Sequence, residues 1–302
     1  MDLLNELEQF AEGLGCETHR NEPMSRHTTF RIGGPADLFL VVHDKPALQQ
    51  VLRKAWELGV KICVLGNGSN MLVSDAGIRG AVIALGKGFK KIELCGTGEL
   101  ECGAGVSLAE LCNFAKDHSL TGLEFAWGIP GSVGGAAFMN AGAYGHSMSE
   151  VVTVCCHVTP SGQEGTLQGN DLQYGYRKSA YTDNGCIITS VRLQLQPGNQ
   201  EQIASTMRQL YQRRKSKQPL EMPSAGSIFK RPPGYYAGTL IEQCGFKGRR
   251  VGGAMVSEKH AGFIVNAGNA TCDDVLRLIK LIQETVYQKT GVHLECEVKQ
   301  IG

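Results

Sequence analysis

Residues 65–85 read LGNGSNMLVSDAGIRGAVIAL, and this stretch decides the fold. An apolar strand, KICVLG at 61–66, runs straight into a polar turn with glycine at positions 66 and 68. Glycine at both places permits left-handed backbone and strips one surface of side chains. Successive N–H groups can then converge on an anion, with Ser69 and Asn70 adding side-chain donors. A phosphate or pyrophosphate is the natural guest; an ordinary tight turn is the alternative. The fingerprint G-x-G-x-x-G is not completed, because Met71 stands where its third glycine belongs. No helical period opens here either, so the turn does not belong to a Rossmann unit. The P-loop pattern G-x-x-x-x-G-K-[ST] is also missing. Phosphates are therefore expected on loops between short strands, not at the start of a long helix.

A second bare stretch lies at 126–145, AWGIPGSVGGAAFMNAGAYG. Backbone with so few side chains must lie against a large flat object or against other backbone. Gly134-Gly135 is placed to open a helix whose N–H groups face an anion. The two stretches explain part of an unusual total of 39 glycines in 302 residues, which has no collagen period.

The remaining composition excludes several classes. A formal net charge of +1, without a basic stripe or an acidic tail, argues against a nucleic-acid binder. No apolar run approaches a membrane span, and MDLLNELEQFAEGLG has neither the basic start nor the unbroken apolar run of a signal peptide, so a cytoplasmic protein is expected. The 11 cysteines are odd in number and scattered, which speaks against a disulfide framework. Cys155-Cys156 has no second pair at metal spacing, so no zinc or other metal is expected.

Periodicity predicts helices over 1–15, 46–58, 107–118, 199–217 and 273–289, and a short one near 238–243. Ser107 and Glu110 form a capping-box pattern at the third of these. Strands are expected at 37–42, 61–66, 150–158, 186–195 and in several short pieces between 71 and 106. Strand and helix do not alternate regularly, so an α+β chain is expected rather than a doubly wound one.

The two glycine stretches, preceded by HTTFRIGGPADLFLV at 27–41, resemble the FAD-binding domain of the vanillyl-alcohol-oxidase/p-cresol-methylhydroxylase type. Within that superfamily the motifs are similar to those of the UDP-N-acetylenolpyruvoylglucosamine reductases, from about residue 24 to the C-terminus. The resemblance implies a two-lobed FAD-binding region plus a C-terminal α+β substrate-binding domain. Lobe 1 would be 1–66, joined by a C-terminal strand at 292–302; lobe 2 would be 67–198; the substrate domain would be 199–291. It implies non-covalent FAD on Leu65, Gly66, Asn67, Gly68, Ser69, Asn70 and Met71, and on Gly128, Ile129, Pro130, Gly131, Ser132, Gly134, Gly135, Asn140, Ala141 and Gly142. Arg214, or its neighbour Arg213, joins them, and NADPH is the hydride donor. Some superfamily members attach FAD through histidine, but His27 is read as structural.

Three later segments match the family's catalytic motifs. YGYRKSA (174–180) aligns Arg177 with the active-site arginine, PSAGSIFKRP (223–232) aligns Ser227 with the serine proton donor, and HLECEVKQIG (293–302) aligns Glu297 with the acidic partner. Glu295, two residues away on the same expected strand face, ranks second. The residue types suit the chemistry. Hydride arrives at the β-carbon of an enolpyruvyl ether, charge spreads into the carboxylate as an enolate, an arginine stabilises it, and an acid protonates the α-carbon. The substrate, UDP-N-acetylglucosamine enolpyruvate, also needs cations for its diphosphate. Lys217, Lys230 and Arg231 are the candidates, with Tyr235 or Tyr236 near uracil or sugar and His260 as a further contact. Positions 177 and 227 are 50 residues apart, filled by a strand and one helix, which matches the shorter, type II form of the family. A monomer is expected. The competing readings are an FAD oxidase of the same fold, which needs no UDP site, and a nucleotide-binding module without activity.

Overall fold

The computed structural model describes residues 2–302. The chain divides into two compact units, each assembled from several stretches. The first contains the residues up to Arg20, Leu38–Asn67 and Gly80–Arg213; the second contains Asn21–Asp37, Gly68–Arg79 and Arg214–Gly302.

The first unit holds two apolar cores. One belongs to a four-stranded sheet ordered Glu17–Pro23, Pro35–Val42, Ile78–Leu85, Ile62–Leu65. Its last two strands pair in parallel, from Ile62 opposite Ala81 to Leu65 opposite Ala84. The helix Lys45–Leu58 starts where Asp44 accepts the Ala47 N–H and proline stands in the first turn, and it stops at Gly59, φ 66°. Its Leu48, Val51 and Leu52 fall at helical spacing and share one core with Leu38, Leu40 and Val42. The second core fills one side of an antiparallel sheet ordered Glu164–Gln168, Val152–Val158, Ile187–Gln194, Glu99–Gly103, Ile92–Gly96. The helix Leu108–Asp117 covers it and carries the expected capping box: Ser107 accepts the Glu110 N–H, and the Glu110 carboxylate accepts the Ser107 N–H.

The helix Gln200–Lys217 is shared between the two units. Domain reading from sequence opens the third domain at residue 199. Yet Ile203 and Met207, one turn apart, are buried in this second core, and the division falls between Arg213 and Arg214 inside the helix. Apolar residues at this spacing commit the first three turns to the nearest apolar face.

The second unit has a four-stranded sheet ordered Ser224–Ser227, Phe263–Asn266, Ala254–Val256, Arg250–Val251. The helices Ala237–Gln243 and Cys272–Thr290 bury Leu240, Ile241, Val275, Leu278, Ile279 and Ile282 in its core, joined by Phe30, Ile32 and Leu72 from the early stretches. The final segment is a strand over Lys299–Ile301 alone, pairing in parallel with Met71–Val73. The long strand expected at 292–302 is therefore cut short: residues 294–298 are held by single bonds, with one bridge between Phe229 and Cys296.

Asp274 anchors the long helix. Its carboxylate accepts the N–H of Gly253 at 3.0 Å and of Thr271 at 3.2 Å and pairs with Arg277. The Gly253 bond, first among these contacts, holds its pKa below the ordinary Asp value of 3.8. A group depressed in the folded state contributes stability above its unfolded pKa and loses it as pH falls through the folded one. Asp274→Ala is expected to lower unfolding free energy by about 1–2 kcal/mol at neutral pH. In chemical denaturation the gap between variant and parent should close below pH 3.8.

Candidate functional site

The first unit brings the two glycine stretches together. Leu65 ends its strand buried, and a Cβ at Gly66 would stand 2.6 Å from the Ser132 Oγ. Among the described residues, no protein acceptor takes the backbone N–H of Gly66, Asn67, Gly68, Ser69 or Asn70. Such donors at Gly66 and Asn67, beside the small side chain of Ser132 in the first unit, fit a phosphate-bearing cofactor.

In the second unit Gly68, at φ +60°, lies on the backbone of His27 and Thr28, and its carbonyl accepts the Thr29 N–H at 3.2 Å. A Cβ there would run into the His27 carbonyl oxygen. Left-handed backbone alone costs a side chain about 1–2 kcal/mol, and the clash adds to it. Gly68→Ala is therefore expected to lower both the melting temperature and the flavin-to-protein absorbance ratio after gel filtration. His27 itself pairs with Glu22 at 2.9 Å.

The second glycine stretch overturns one expectation. Gly134-Gly135 does lie in a helix, Val133–Phe138, but the N–H groups at its start are spent inside the protein. Val133 donates to Val106 at 2.8 Å, Gly134 to Ala104 at 2.9 Å, and Gly135 to the Ser132 Oγ at 3.2 Å. Gly134 is bare because a Cβ would come within 2.7 Å of the Ala104 Cβ. Close packing on Ala104 explains Gly134. Ahead of it, Gly128 takes φ +83°, Ile129 and Pro130 follow, and the Gly131 carbonyl accepts the Leu108 N–H at 2.9 Å. Beyond it Asn140 is buried at φ +44°, and the Ala141 N–H returns to Ala136 at 2.8 Å.

Arg177 sits on a tight reversal of the first unit. Gly175 and Lys178 exchange backbone bonds of 3.0 and 3.2 Å, which leaves Tyr176 and Arg177 at the tip. Arg177 takes φ +55°, a place that usually calls for glycine or asparagine. Its guanidinium donates to the Gly142 carbonyl at 3.2 Å and lies 5.2 Å from the centroid of the exposed Tyr176 ring. Arg213 lies over Tyr144 at 5.3 Å.

In the second unit the strand Ser224–Ser227 carries an extra residue between Ser224 opposite Val265 and Ser227 opposite Phe263, with Gly226 at φ +75°. Such a bulge re-aims the following side chain. The Ser227 hydroxyl donates to the Phe229 carbonyl just beyond its strand, 3.3 Å away, and Gly262 leaves one side of it bare. His260 crowds the same glycine. Its Nδ1 accepts the Gly262 N–H at 3.0 Å, so the neutral ring carries its proton on Nε2. Burial pushes the His260 pKa down, with Lys217 among the lesser influences.

The Glu297 N–H donates to the Ile228 carbonyl at 2.8 Å, which sets Glu297 beside the residue next to Ser227. Asn70 closes the arrangement: its side chain donates to the Glu297 carbonyl at 3.2 Å, and its own carbonyl accepts the Lys299 N–H at 3.0 Å. Asn70, read from sequence as a cofactor contact, thus holds the segment that carries Glu297. Glu295 and Glu297 do not share a strand face, since the chain here is irregular. Glu295 is exposed and ion-paired to Lys230. Arg231 stacks over Tyr236 at 4.0 Å. Lys217 is exposed at its helix end and Arg214 is buried. A cleft of about 400 Å³ in the first unit, lined by Lys45, Glu101, His157 and Glu164 among others, contains none of these residues. The sequence reading passed over Gly226 and Gly262; a glycine inside a strand pattern was the available signal.

Comparison with known proteins identifies this set of features. Residues 36–168 match the profile described as FAD binding domain, and residues 218–301 that of UDP-N-acetylenolpyruvoylglucosamine reductase, C-terminal domain. The UDP-N-acetylenolpyruvoylglucosamine reductase of Agathobacter rectalis is 48% identical over 294 residues, covering 94% of this chain and 93% of that protein. The chain belongs to the UDP-N-acetylenolpyruvoylglucosamine reductase family. The reductase of Streptococcus pyogenes is 46% identical over 288 residues, covering 95% of this chain and 97% of its own length. The crystal structure of the reductase from Thermus caldophilus superposes with a TM-score of 0.83 at 38% identity, over 95% of this chain and 99% of that one. A variant of Phl p 4, a glucose oxidase, shares the fold alone, with a TM-score of 0.52 at 14% identity over 77% of this chain and 53% of that one. The chain is thus an FAD-dependent oxidoreductase of the α+β class expected from its motifs. Among the described residues no helix is long and apolar enough to cross a membrane.

Proposed function

We propose that the chain reduces the enolpyruvyl double bond of UDP-N-acetylglucosamine enolpyruvate with NADPH, giving UDP-N-acetylmuramate for peptidoglycan synthesis. Family membership at 48% identity over 94% of the chain supports the reaction. The presence of Arg177, Ser227 and Glu297 within the matching motifs carries the assignment of roles. FAD, which Leu65 to Met71 and Gly128 to Ser132 would hold, would supply the hydride transfer from NADPH to the substrate β-carbon. The protein does the rest.

Arg177 receives the substrate carboxylate bidentately and stabilises the charge that reaches it as the enolate forms. Ser227 delivers a proton to the α-carbon. Its hydroxyl is held short of full commitment by a 3.3 Å bond to Phe229 and can turn to a stronger base. Glu297 sits one backbone bond from that strand and orients the proton's path. Leu65 to Met71, with Gly128 to Ser132, cradle FAD; Arg214 assists, and Lys217 faces the diphosphate. Lys230 and Arg231 contribute charge and, through Tyr236, a stacking surface, and His260 offers its Nε2–H to the substrate. The enzyme works as a monomer in the cytoplasm. All eleven cysteines stand as free thiols, as in proteins of a reducing compartment.

The deciding experiment is anaerobic stopped-flow absorbance. NADPH should bleach the flavin, and only the enolpyruvyl substrate should restore its spectrum. Recovery on admitting oxygen alone would make the protein an oxidase, and a purified chain that takes up no FAD would refute both readings.

A further inference from the structure

We propose that Asn140 is a positioning residue for Arg177, a clamp that fixes the direction of its guanidinium. The inference rests on the reading of Arg177 as the group that receives the substrate carboxylate. Sequence resemblance assigns Asn140 to the cofactor, but the geometry assigns its amide elsewhere. The side chain is buried at 7% exposure, and both polar ends are engaged within the first unit. Its Oδ1 accepts the Ser149 N–H at 2.9 Å, and its Nδ2 donates to the Gly175 carbonyl at 2.9 Å. The Ser149 donor fixes which end is oxygen, so the amino group must face Gly175.

Gly175 is the base of the reversal that carries Arg177. Its carbonyl already accepts the Lys178 N–H, and Asn140 supplies the second bond. The tip needs such help. Arg177 is held at φ +55°, and strained backbone persists only where its surroundings over-determine it. The second hold comes from the same stretch of chain: the Arg177 Nη2 donates to the carbonyl of Gly142, two residues after Asn140. One short segment thus grips the reversal at its base through Asn140 and at its functional end through Gly142. Asn140 can serve this way because asparagine tolerates its own φ of +44°.

The test uses Asn140→Asp, Asn140→Ala, Arg177→Ala and the Asn140→Asp/Arg177→Ala double variant, each purified with FAD. The aspartate keeps the acceptor for Ser149 and sets a carboxylate oxygen against the Gly175 carbonyl; the alanine removes the clamp without repulsion. Three quantities are read: FAD occupancy, the affinity for UDP-N-acetylmuramate by calorimetry, and the rate of anaerobic flavin reoxidation by the enolpyruvyl substrate. Both single Asn140 variants should keep FAD and their rate of reduction by NADPH. Each should bind product more weakly and reoxidise about 10²-fold more slowly, the effect of displacing a catalytic group by about 1 Å. In the Arg177→Ala background, Asn140→Asp should slow reoxidation no further, because residues acting through one another are not additive. Additive losses, or FAD occupancy that falls in step with activity in both Asn140 variants, would overturn the proposal and return Asn140 to the fold or the cofactor. Full-speed reoxidation by Arg177→Ala alone would remove the reading of Arg177 itself, and that single variant reveals it whatever Asn140 does.

Discussion

A Ser227→Ala enzyme is expected to take up FAD and be reduced by NADPH like the parent, yet to reoxidise with the enolpyruvyl substrate about 10²- to 10⁴-fold more slowly, the span assigned to a positioned proton donor. The fold should tolerate the change. The hydroxyl makes one long bond to the Phe229 carbonyl just beyond its strand, at 3.3 Å, and the residue is half-buried. Losing such a bond costs about 1 kcal/mol or less. The bulge that aims residue 227 depends on Gly226 at φ +75° and on the pairing of Ser227 with Phe263, both of which involve backbone alone. Alanine therefore keeps the geometry and removes the proton. The neighbouring His260 cannot take over as a cationic acid, because burial holds its pKa below the ordinary value of 6.5 and its Nδ1 is engaged with Gly262. The measurement is single-turnover stopped flow on both half-reactions. Equal slowing of reduction and reoxidation would make Ser227 a packing residue of the flavin site and refute its role as donor.

The motifs and the helices were readable in the sequence because each leaves a local mark. Ser107 with Glu110, Pro46 at a helix start and Gly59 after Leu58 place helix ends to within a residue or two. Strands at the sheet edges were not readable. Glu17–Pro23 reads ETHRNEP and Glu164–Gln168 reads EGTLQ, polar edge runs with no apolar alternation to mark them, although their partner strands are near in the chain. The glycines were over-read in one place and under-read in another. Gly134 is bare so that backbone can pack on Ala104, and Gly226 is bare so that a strand can bulge. Composition cannot separate these from a glycine that faces a ligand, since all three require the absence of a Cβ. The asparagines show the same limit. Asn70 and Asn140 lie inside cofactor motifs, but their side chains bond the carbonyls of Glu297 and Gly175. A motif records which residues are needed together, not which atom each of them holds.

Arg177→Gly separates catalytic function from backbone strain more sharply than an alanine does. Glycine is the residue that φ +55° at the tip of a tight reversal prefers. Relief of a left-handed non-glycine residue is worth about 1–2 kcal/mol, and it offsets the lost 3.2 Å bond to the Gly142 carbonyl and the stacking on Tyr176. The variant should therefore unfold at the parent's temperature or slightly above it, with FAD fully bound. Reoxidation by the enolpyruvyl substrate should nevertheless fall about 10²- to 10³-fold, the usual loss when one preorganised donor to a developing charge is removed. A protein that keeps its stability while losing this half-reaction has been carrying strain for the sake of the arginine. A fall in melting temperature and FAD content that matches the loss of rate would instead make Arg177 a structural residue of the first unit, and the carboxylate would need another cation.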